Sequence, residues 1–280
     1  MAKRFASVLV LSLAFGLNTR LARASDIYPH PFYPGEKLTY SVEYMSMEIA
    51  RVDFYFLDPI DTLGTRLYHV KSEIKSNTRV PILVVHDTYE SYFDENCRPY
   101  LYRGHGLRRN FAFRFVYRFD PRKGEIHACE YRQNSREEKL VYESHVTSKD
   151  RIFDGLTLFY FIRAHLKSLV SYKTVHTQIF INGKTRSVQF TPLKKLYQAK
   201  FINQTVASIP LDLRLGFKGI AGLRDRMKFK LSADEKVIPL LGELKVVLGK
   251  VRIRLRDYIP GQLPYIQSAE KAAMDAKSNR

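Results

Sequence analysis

The sequence predicts a mainly antiparallel all-β protein, built as a curved sheet or barrel-like β domain with one packed α-helix. The first reason is composition, because the 13% of aromatic residues are all Tyr and Phe, with no Trp, and β-branched residues are plentiful. Such side chains suit a pleated sheet. The second reason is that apolar and polar residues alternate with period two in many segments. The third is that turn signals recur roughly every 10 residues without regular helices between them, which favours an antiparallel arrangement over parallel βαβ units.

Residues 1–24 have the features of a secretory signal peptide rather than of the fold. A positively charged start precedes an apolar run over residues 5–17, and a small-x-small cleavage site ends at Ala24. The run is shorter than the roughly 20 residues that span a bilayer as a helix. We therefore expect a mature chain that begins at Ser25 and is soluble in the periplasm.

Alternating segments predict the strands in chain order. The first hairpin joins residues 38–44 to residues 52–56, and Asn182-Gly183 marks a later hairpin because both residues tolerate positive φ. The remaining predicted strands cover residues 66–75, 86–94, 99–107, 110–119, 124–132, 226–232 and 243–257. We expect a single β-rich domain over residues 25–266 and a flexible tail over residues 267–280.

One segment predicts a helix. Apolar residues at 156, 159, 162 and 166 have the spacing of one helical face, and Asp154 is a good N-cap, so we place the helix at about 154–168. It is expected to lie as a plug on the curved sheet, against the strand at 111–119. A second short piece near 77–85, helical or irregular, is interrupted by Pro81.

The chain is strongly basic. Its 46 Lys and Arg against 28 Asp and Glu give a formal charge of +18, which attracts anionic surfaces. Because export removes nucleic acid as the resident polyanion, we expect no nucleic-acid partner. Anionic lipid head groups, phosphorylated glycolipids or acidic polysaccharides are the expected counterparts, with contact to a membrane surface. The sequence leaves the oligomeric state open.

The two cysteines allow two interpretations. Cys97 and Cys129 are an even pair in an exported chain, which suggests a disulfide. However, Cys97 falls in a turn and Cys129 lies midway along a later predicted strand, a separation that opposes a bridge. No CxxC motif is present, and none of the eight histidines makes an HxxxH or HxH spacing with nearby carboxylates. We therefore predict no metal and no cofactor.

A row of aromatic residues and a basic stripe are the candidate ligand-binding features. The aromatic row shares one strand face and consists of Phe111, Phe113, Phe115, Tyr117 and Phe119. It would form either an ordinary sheet core under the helix or the lining of an apolar cavity. The basic stripe is Arg252, Arg254 and Arg256, which alternate with Ile253 and Leu255. It would be either a solvated face or a wall that docks anionic head groups or polysaccharide.

No catalytic motif is present in the sequence. There is no GxSxG elbow, P-loop or GxGxxG fingerprint, and Gly104-His-Gly106 is typical of an isolated turn. The acid pairs Asp87 with Glu90 and Asp234 with Glu235 are more typical of turn capping than of acid–base chemistry. We therefore predict that the protein is not an enzyme.

Three stretches carry a likeness to a known family, at residues 32–40, 154–163 and 231–239. Through them, the chain resembles a family of exported bacterial proteins catalogued as domain of unknown function 3108. The likeness spans most of residues 32–258, with departures at Ala233 and Val237 and in the extra basic charge. It implies a barrel-like or curved-sheet β domain in the cell envelope and implies no established activity.

Charged residues shared with that family pattern predict a structural clamp. They are Glu36, Asp154 and Arg163. The planar guanidinium of Arg163 can pair bidentately with Glu36 or with Asp234. A structural role for these residues is favoured over contact with a ligand.

These observations favour a soluble periplasmic, non-enzymatic cell-envelope protein that binds or chaperones an amphipathic or anionic envelope molecule. The alternative is a hydrolase or transferase that acts on envelope glycans or lipids. A further alternative is a protein-binding scaffold of an envelope complex.

Overall fold

The structure is a computed structural model and describes residues 32–62, 64–77, 84–108, 111–134, 137–171, 174–216, 226–246 and 249–261. The predicted signal peptide with its cleavage site, the predicted tail over 267–280 and most of the predicted helical piece near 77–85 lie outside these residues. No helix in these ranges is both long enough and apolar enough to cross a membrane.

The described residues form sixteen strands, one α-helix and one short 3-10 helix. The helix α1 is Gly155–His165, and the 3-10 helix is Ser168–Ser171. The first eight strands are β1 Lys37–Tyr44, β2 Met47–Thr62, β3 Thr65–Ser76, β4 His86–Phe93, β5 Pro99–Leu107, β6 Ala112–Asp120, β7 Glu125–Gln133 and β8 Glu138–Thr147. The others are β9 Ile152–Phe153, β10 Val175–Ile181, β11 Lys184–Pro192, β12 Tyr197–Phe201, β13 Gln204–Leu215, β14 Arg226–Ser232, β15 Pro239–Lys245 and β16 Lys250–Ile259.

All strands belong to one sheet, which confirms the predicted fold class. Its order is β8-β7-β6-β5-β4-β3-β2-β1-β16-β15-β14-β13-β11-β10-β9, and β12 pairs with β13 beside this path. The first eight strands therefore form a meander, and β16 returns to pair with β1. Neighbours are antiparallel except for β9 and β10, which are parallel.

The sheet curls until its two ends meet through side chains. The hydroxyl of Tyr142 on β8 donates a hydrogen bond to the carbonyl of Gly183, in the β10–β11 turn, at 2.7 Å. The ring of Tyr117 on β6 meets that of Phe180 on β10 edge-on, with centroids 5.0 Å apart. These contacts between one end of the sheet and the other make the architecture barrel-like.

The Asn182-Gly183 hairpin is confirmed. The two residues have φ values of 48° and 68°, the left-handed conformation that a two-residue hairpin turn requires. A Cβ atom on Gly183 would lie 2.4 Å from the ring of Tyr142, so glycine is needed here for packing as well as for backbone conformation.

Four strands were not predicted: β8, β9, β12 and β13. The strand predicted at 243–257 is divided between two strands, β15 and β16. In β8, the register with β7 shifts between Glu130 and Tyr131, so that Val141 is an extra residue and breaks the period-two alternation. In β13, Pro210 lies in the middle of the strand, where proline ordinarily argues against a strand.

The helix α1 lies inside the curled sheet. Residues Gly155 to Arg163 are all buried, so the helix is covered on every side rather than on one face. Phe159 stacks on Phe54 of β2 with centroids 4.7 Å apart and a 6° interplanar angle. Tyr160 contacts Phe56 of β2 and Phe93 of β4.

The predicted helix position is confirmed, but its predicted partner strand is wrong. The rings of α1 contact those of β2, β4 and β9, whereas the strand at 111–119 turns its rings toward Tyr102 of β5 and Phe180 of β10. The curl places β6 farther around the core from the helix than a flat meander suggests.

Candidate functional site

The structure pairs Arg163 with Glu36. Both side chains are buried, and Nη1 and Nη2 donate to the two carboxylate oxygens at 2.6 and 2.8 Å. Nε and Nη2 also donate to the carbonyl of Lys236 at 3.3 and 3.1 Å. Burial lowers the pKa of Arg163, but the charge and hydrogen bonds of Glu36 outweigh it, and the pKa is raised overall. The guanidinium therefore stays charged, and its hydrogen bonds are satisfied within the protein.

Asp234 has a structural role beside the Arg163–Glu36 pair. Asp234 accepts hydrogen bonds from the Ser232 hydroxyl at 2.6 Å and from the backbone N–H groups of Lys236 and Val237, and so shapes the turn that presents the Lys236 carbonyl to Arg163. Asp234 thus acts on the clamp indirectly.

Asp154 caps the helix α1. It accepts from the backbone N–H groups of Leu156 and Thr157 at 2.8 and 2.9 Å, and from the hydroxyls of Thr157 and Ser91 at 2.6 and 2.8 Å. Burial raises the pKa of Asp154, and these hydrogen bonds offset part of that effect. Its contacts account for a structural role.

The aromatic row packs as sheet core along most of its length. Phe115, Tyr117 and Phe119 are buried, while Phe111 and Phe113 are half-buried and have arginine guanidinium groups 4.5 Å from their rings. Phe115 lies 5.0 Å from Tyr102 and 4.7 Å from Tyr117, centroid to centroid. These contacts favour the core interpretation over the cavity lining.

The basic stripe lies on the outer face of β16, and acidic residues offset much of its charge. Arg254 and Arg256 share the carboxylate of Glu43 at 3.4 and 2.6 Å, and Arg252 lies 3.2 Å from Glu243. Lys250 also contacts Glu243, at 3.3 Å. The stripe is thus a network of surface ion pairs with a reduced excess of positive charge.

The disulfide interpretation is wrong, because Cys97 and Cys129 are both free and buried. Cys97 lies in the β4–β5 turn with a φ of 54°, and Cys129 lies within β7. The intervening strands β5 and β6 separate them, as the opposing geometric argument expected. Burial raises the pKa of the Cys97 thiol to about 12.

Gly104 and Gly106 lie within β5, so their interpretation as an isolated turn is wrong. A Cβ on Gly106 would meet the carboxylate of Asp87, and one on Gly104 would meet the rings of Phe115 and Tyr89 within 3 Å. Asp87 is fully buried and pairs with Arg108, whose Nη2 lies 2.9 Å from Oδ2.

The expectation that Asp87 and Glu90 cap a turn is wrong, because both residues lie within β4. Glu90 faces outward and contacts His69 at 2.9 Å and Arg103 at 2.8 Å. Because Asp87 faces the interior, the two carboxylates lie on opposite faces of β4.

A basic cleft of about 470 Å³ lies where the β4–β5 turn, the β6–β7 turn and the segment between β8 and β9 meet. Its basic side chains are Arg98, Arg122, Lys123, Lys149 and Arg151, and its acidic ones are Asp120, Glu125 and Asp150. The apolar side chains of Phe119, Ile126 and Ile152 form part of the same wall. We call this set the basic cleft.

Local hydrogen bonds hold these segments in place. Asp120 accepts from the backbone N–H groups of Arg122 and Lys123 at 3.0 and 3.1 Å. The N–H of Ser148 donates to the Gly124 carbonyl at 2.9 Å, which joins the β6–β7 turn to the segment after β8. Gly124 has a φ of 71°, and a Cβ there would clash with the Ser148 carbonyl.

Arg151 is the distinctive residue of the basic cleft. Its guanidinium lies 4.5 Å from the ring of Phe153 and 5.0 Å from that of Phe161, and Nη2 donates to the Asn96 carbonyl. Among the described residues, its buried Nε has no hydrogen-bond partner, and its guanidinium forms no ion pair. The nearby carboxylate of Asp94 is already bound to Arg98 at 2.7 Å. Burial lowers the pKa of Arg151, and the nearby Asp94 offsets part of that effect.

Sequence analysis missed the basic cleft because its cations come from three separate connections. The available signal was the pair Arg122-Lys123 in one turn and the pair Lys149 and Arg151 after β8. Only the curl of the sheet brings these segments together.

Comparisons with known proteins support the fold alone. The chain matches no family model, and no curated protein matches it. A solved structure with a similar fold is a β-barrel-like protein of domain of unknown function 1849 from Brucella abortus, with a TM-score of 0.50 and 10% identity. The match covers 82% of this chain and 98% of that one.

This neighbour belongs to a different family from the one predicted by the motifs. The comparison supports a likeness to a bacterial β-barrel-like protein of unknown function, and not the finer likeness to domain of unknown function 3108.

Proposed function

We propose that the protein is an exported, non-enzymatic cell-envelope protein that binds an anionic or amphipathic envelope molecule, a lipid, glycolipid or polysaccharide, in the basic cleft. The observation that carries the proposal is Arg151, a partly buried cation whose Nε is buried and unsatisfied and which has no ion-pair partner among the described residues. A phosphate or carboxylate group of the bound molecule would pair with the accessible part of the guanidinium and supply the missing charge.

The surroundings of Arg151 suit an amphipathic molecule. Arg122, Lys123 and Lys149 are exposed around the cleft and would attract the anionic group. Phe119 and Ile126 line the cleft next to these charges, and only a small part of either side chain is exposed there. By contrast, the interior of the sheet holds α1 and its packed rings, so binding at the cleft is favoured over binding inside the barrel.

The basic cleft is preferred to the basic stripe because of how their cations are paired. Each arginine of the stripe already contacts Glu43 or Glu243, whereas Arg151 has no such partner among the described residues. An anion at the stripe would compete with existing carboxylates.

The motifs at 32–40, 154–163 and 231–239 support an envelope location through their resemblance to exported proteins. The signal-like segment over residues 1–24 supports export in the same way. The location is tested by intact mass: we expect a mature product that begins at Ser25 in the soluble periplasmic fraction. A full-length mass in the membrane pellet would contradict it.

The binding test compares two variants that each lose three positive charges. Sedimentation with vesicles of phosphatidylcholine containing phosphatidylglycerol is measured for wild type, for Arg122→Gln/Lys123→Gln/Lys149→Gln and for Arg252→Gln/Arg254→Gln/Arg256→Gln. We expect the cleft variant to bind roughly fivefold more weakly per removed cation, and salt to weaken the wild type. The stripe variant has the same net charge and serves as the control.

Other outcomes have defined meanings. If both triple variants bound the vesicles equally weakly, only net charge would matter, and the assignment of the basic cleft as the binding site would be overturned. Weaker vesicle binding by the stripe variant alone would place the binding site on β16. Appearance of hydrolysed lipid in the vesicles would favour the hydrolase alternative instead.

Arg151 itself gives a sharper test. Arg151→Met keeps a side chain of similar length and removes a partly buried charge that lacks an ionic partner in the described structure. We expect vesicle binding to fall at least tenfold while the free energy of unfolding decreases by less than about 1 kcal/mol. A large loss of stability with unchanged binding would make Arg151 a structural residue.

A further inference from the structure

Four side chains with metal-binding donor atoms meet on the outer face of β7 and β8. His127 and Cys129 lie two residues apart on β7, so they share one face of the strand, and Glu143 and His145 do the same on β8. In the antiparallel register His127 lies directly opposite His145, and Cys129 lies directly opposite Glu143. The four side chains therefore occupy the corners of one small patch.

The donor atoms of this patch are close together. Nε2 of His127 lies 2.7 Å from Oε1 of Glu143, and Sγ of Cys129 lies 3.4 Å from the same nitrogen and 4.0 Å from the same oxygen. Donor atoms of His127, Glu143 and His145 all lie within 4.8 Å of one another. The two imidazole rings stack with centroids 4.2 Å apart and an interplanar angle of 9°.

These separations approach those of a tetrahedral zinc site. With Zn–N near 2.0–2.1 Å and Zn–S near 2.3 Å, tetrahedral geometry places neighbouring donor atoms about 3.3–3.6 Å apart. The Cys129–His127 distance already has this value. His127 and Glu143 are closer because a hydrogen bond joins them, and they need to separate by less than about 1 Å to bind the metal. One of the two stacked rings must also turn, because an imidazole nitrogen binds a metal in the plane of its ring.

The chemistry of the donors points to zinc. Two imidazoles, a thiolate and a carboxylate match the borderline character of Zn²⁺, whereas Ca²⁺ and Mg²⁺ take oxygen ligands. The thiolate and the carboxylate together supply two negative charges, which balance those of the ion, and Arg118, opposite His127 on β6, adds one positive charge beside the site. We propose that His127, Cys129, Glu143 and His145 form a Zn²⁺-binding site.

The site is accessible and lies at an edge of the sheet. Cys129 is buried at its base, while Glu143 and His145 are exposed, so an ion can enter from solvent. Because β8 is the last strand at this end of the described sheet, zinc would fasten the edge strand to β7. This site is independent of the basic cleft and of the binding function proposed above.

The main test is a zinc titration of the purified protein against a chromophoric chelator. We expect one Zn²⁺ per chain and at least tenfold weaker binding in both His127→Gln and His145→Gln. His69→Gln is the matched control, because His69 contacts Glu90 at 2.9 Å on the outer face of β3 and β4. We expect this control to bind zinc like the wild type.

Absence of stoichiometric zinc binding, or equal binding by the two patch variants and the control, would overturn the proposal. Because the patch is largely on the surface, far-ultraviolet circular dichroism should show all three variants folded. If a patch variant is unfolded, Glu143→Gln replaces it in the comparison.

Cobalt tests the thiolate separately. Co²⁺ bound to the wild type should show a sulfur-to-cobalt charge-transfer band, and Cys129→Ser should lose that band while retaining the weaker visible bands. Zinc should also slow alkylation of Cys129, with Cys97→Ser used so that one thiol is followed. Cobalt binding without the charge-transfer band would overturn the assignment of Cys129 as a ligand.

Discussion

Arg163 on the helix α1 and Glu36, just before β1, are 127 residues apart in the sequence and form a buried bidentate ion pair. β1 is the strand at which the meander β1–β8 joins the returning strand β16, and the Lys236 carbonyl that completes the site lies between β14 and β15. The pair therefore fastens the central helix to both halves of the sheet at their junction.

Breaking this pair should be strongly destabilising. Arg163→Met leaves the Glu36 carboxylate buried without its cation, so we expect the free energy of unfolding to fall by about 3–5 kcal/mol in urea titrations at pH 7. Arg103→Met, which breaks a more exposed pair with Glu90, should cost less than about 1 kcal/mol. The double variant Arg163→Met/Glu36→Leu should recover much of the loss, and equal small effects of both single variants would contradict a buried clamp.

Truncation of the helix side chain that stacks on β2 tests the packing of α1. Phe159 is 1% exposed and stacks on Phe54, so Phe159→Ala should cost about 3–5 kcal/mol of unfolding free energy. Leu140→Ala on the exposed edge strand should stay within about 0.5 kcal/mol of wild type. An unchanged urea midpoint for Phe159→Ala would mean that the helix is not packed in the sheet.

The close approach of Gly106 on β5 to the Asp87 carboxylate leads to a third prediction. In Gly106→Ala, the added methyl group overlaps the Asp87 carboxylate and disturbs its pair with Arg108. We expect a loss of about 1–3 kcal/mol in the same urea titrations. Leu107→Ala, at the exposed neighbouring position, is the control and should change stability little, whereas a neutral Gly106→Ala would show that the interior can relax around the methyl group.

The carboxylate of Glu73 should give stability that depends on pH. Hydrogen bonds from Lys71 and Lys75 lower the pKa of Glu73 from 4.5 to about 2. Since the folded pKa is below the unfolded one, the contribution is present above about pH 4.5 and is lost as pH falls toward 2. Its size should be under about 1 kcal/mol because the pair is at the surface.

The measurement compares wild type with Glu73→Gln in urea at several pH values. The difference in unfolding free energy should be constant from pH 7 to pH 5 and shrink between pH 4.5 and pH 3. A difference that is independent of pH over this range would exclude the ion pairs as its cause.

The sequence was sufficient for features that depend on neighbouring residues. Period-two alternation located most strands because successive side chains point to opposite faces. Asn182-Gly183 located a turn because both residues adopt positive φ, and Asp154 located the start of α1 because a carboxylate accepts from the free N–H groups of a helix end. The charge excess was likewise a property of composition.

The exceptions are positions where a local rule is broken. The extra residue Val141 interrupts the alternation in β8, and Pro210 interrupts the expected pattern of β13. Because β8 was not predicted, the sequence did not show that Glu143 lies beside His127. The two-residue spacings His127/Cys129 and Glu143/His145 are nevertheless visible in the sequence.

Only the tertiary structure decided which residues meet. The sequence left Glu36 and Asp234 as equal partners for Arg163, and the three connections that build the basic cleft showed no relation to one another. The direction and extent of the curl also decided that α1 faces β2 and β4 rather than β6. The physical reason is that alternation fixes the face on which a side chain lies, whereas its partner depends on strand register and sheet curvature, which are set by contacts between residues far apart in the sequence.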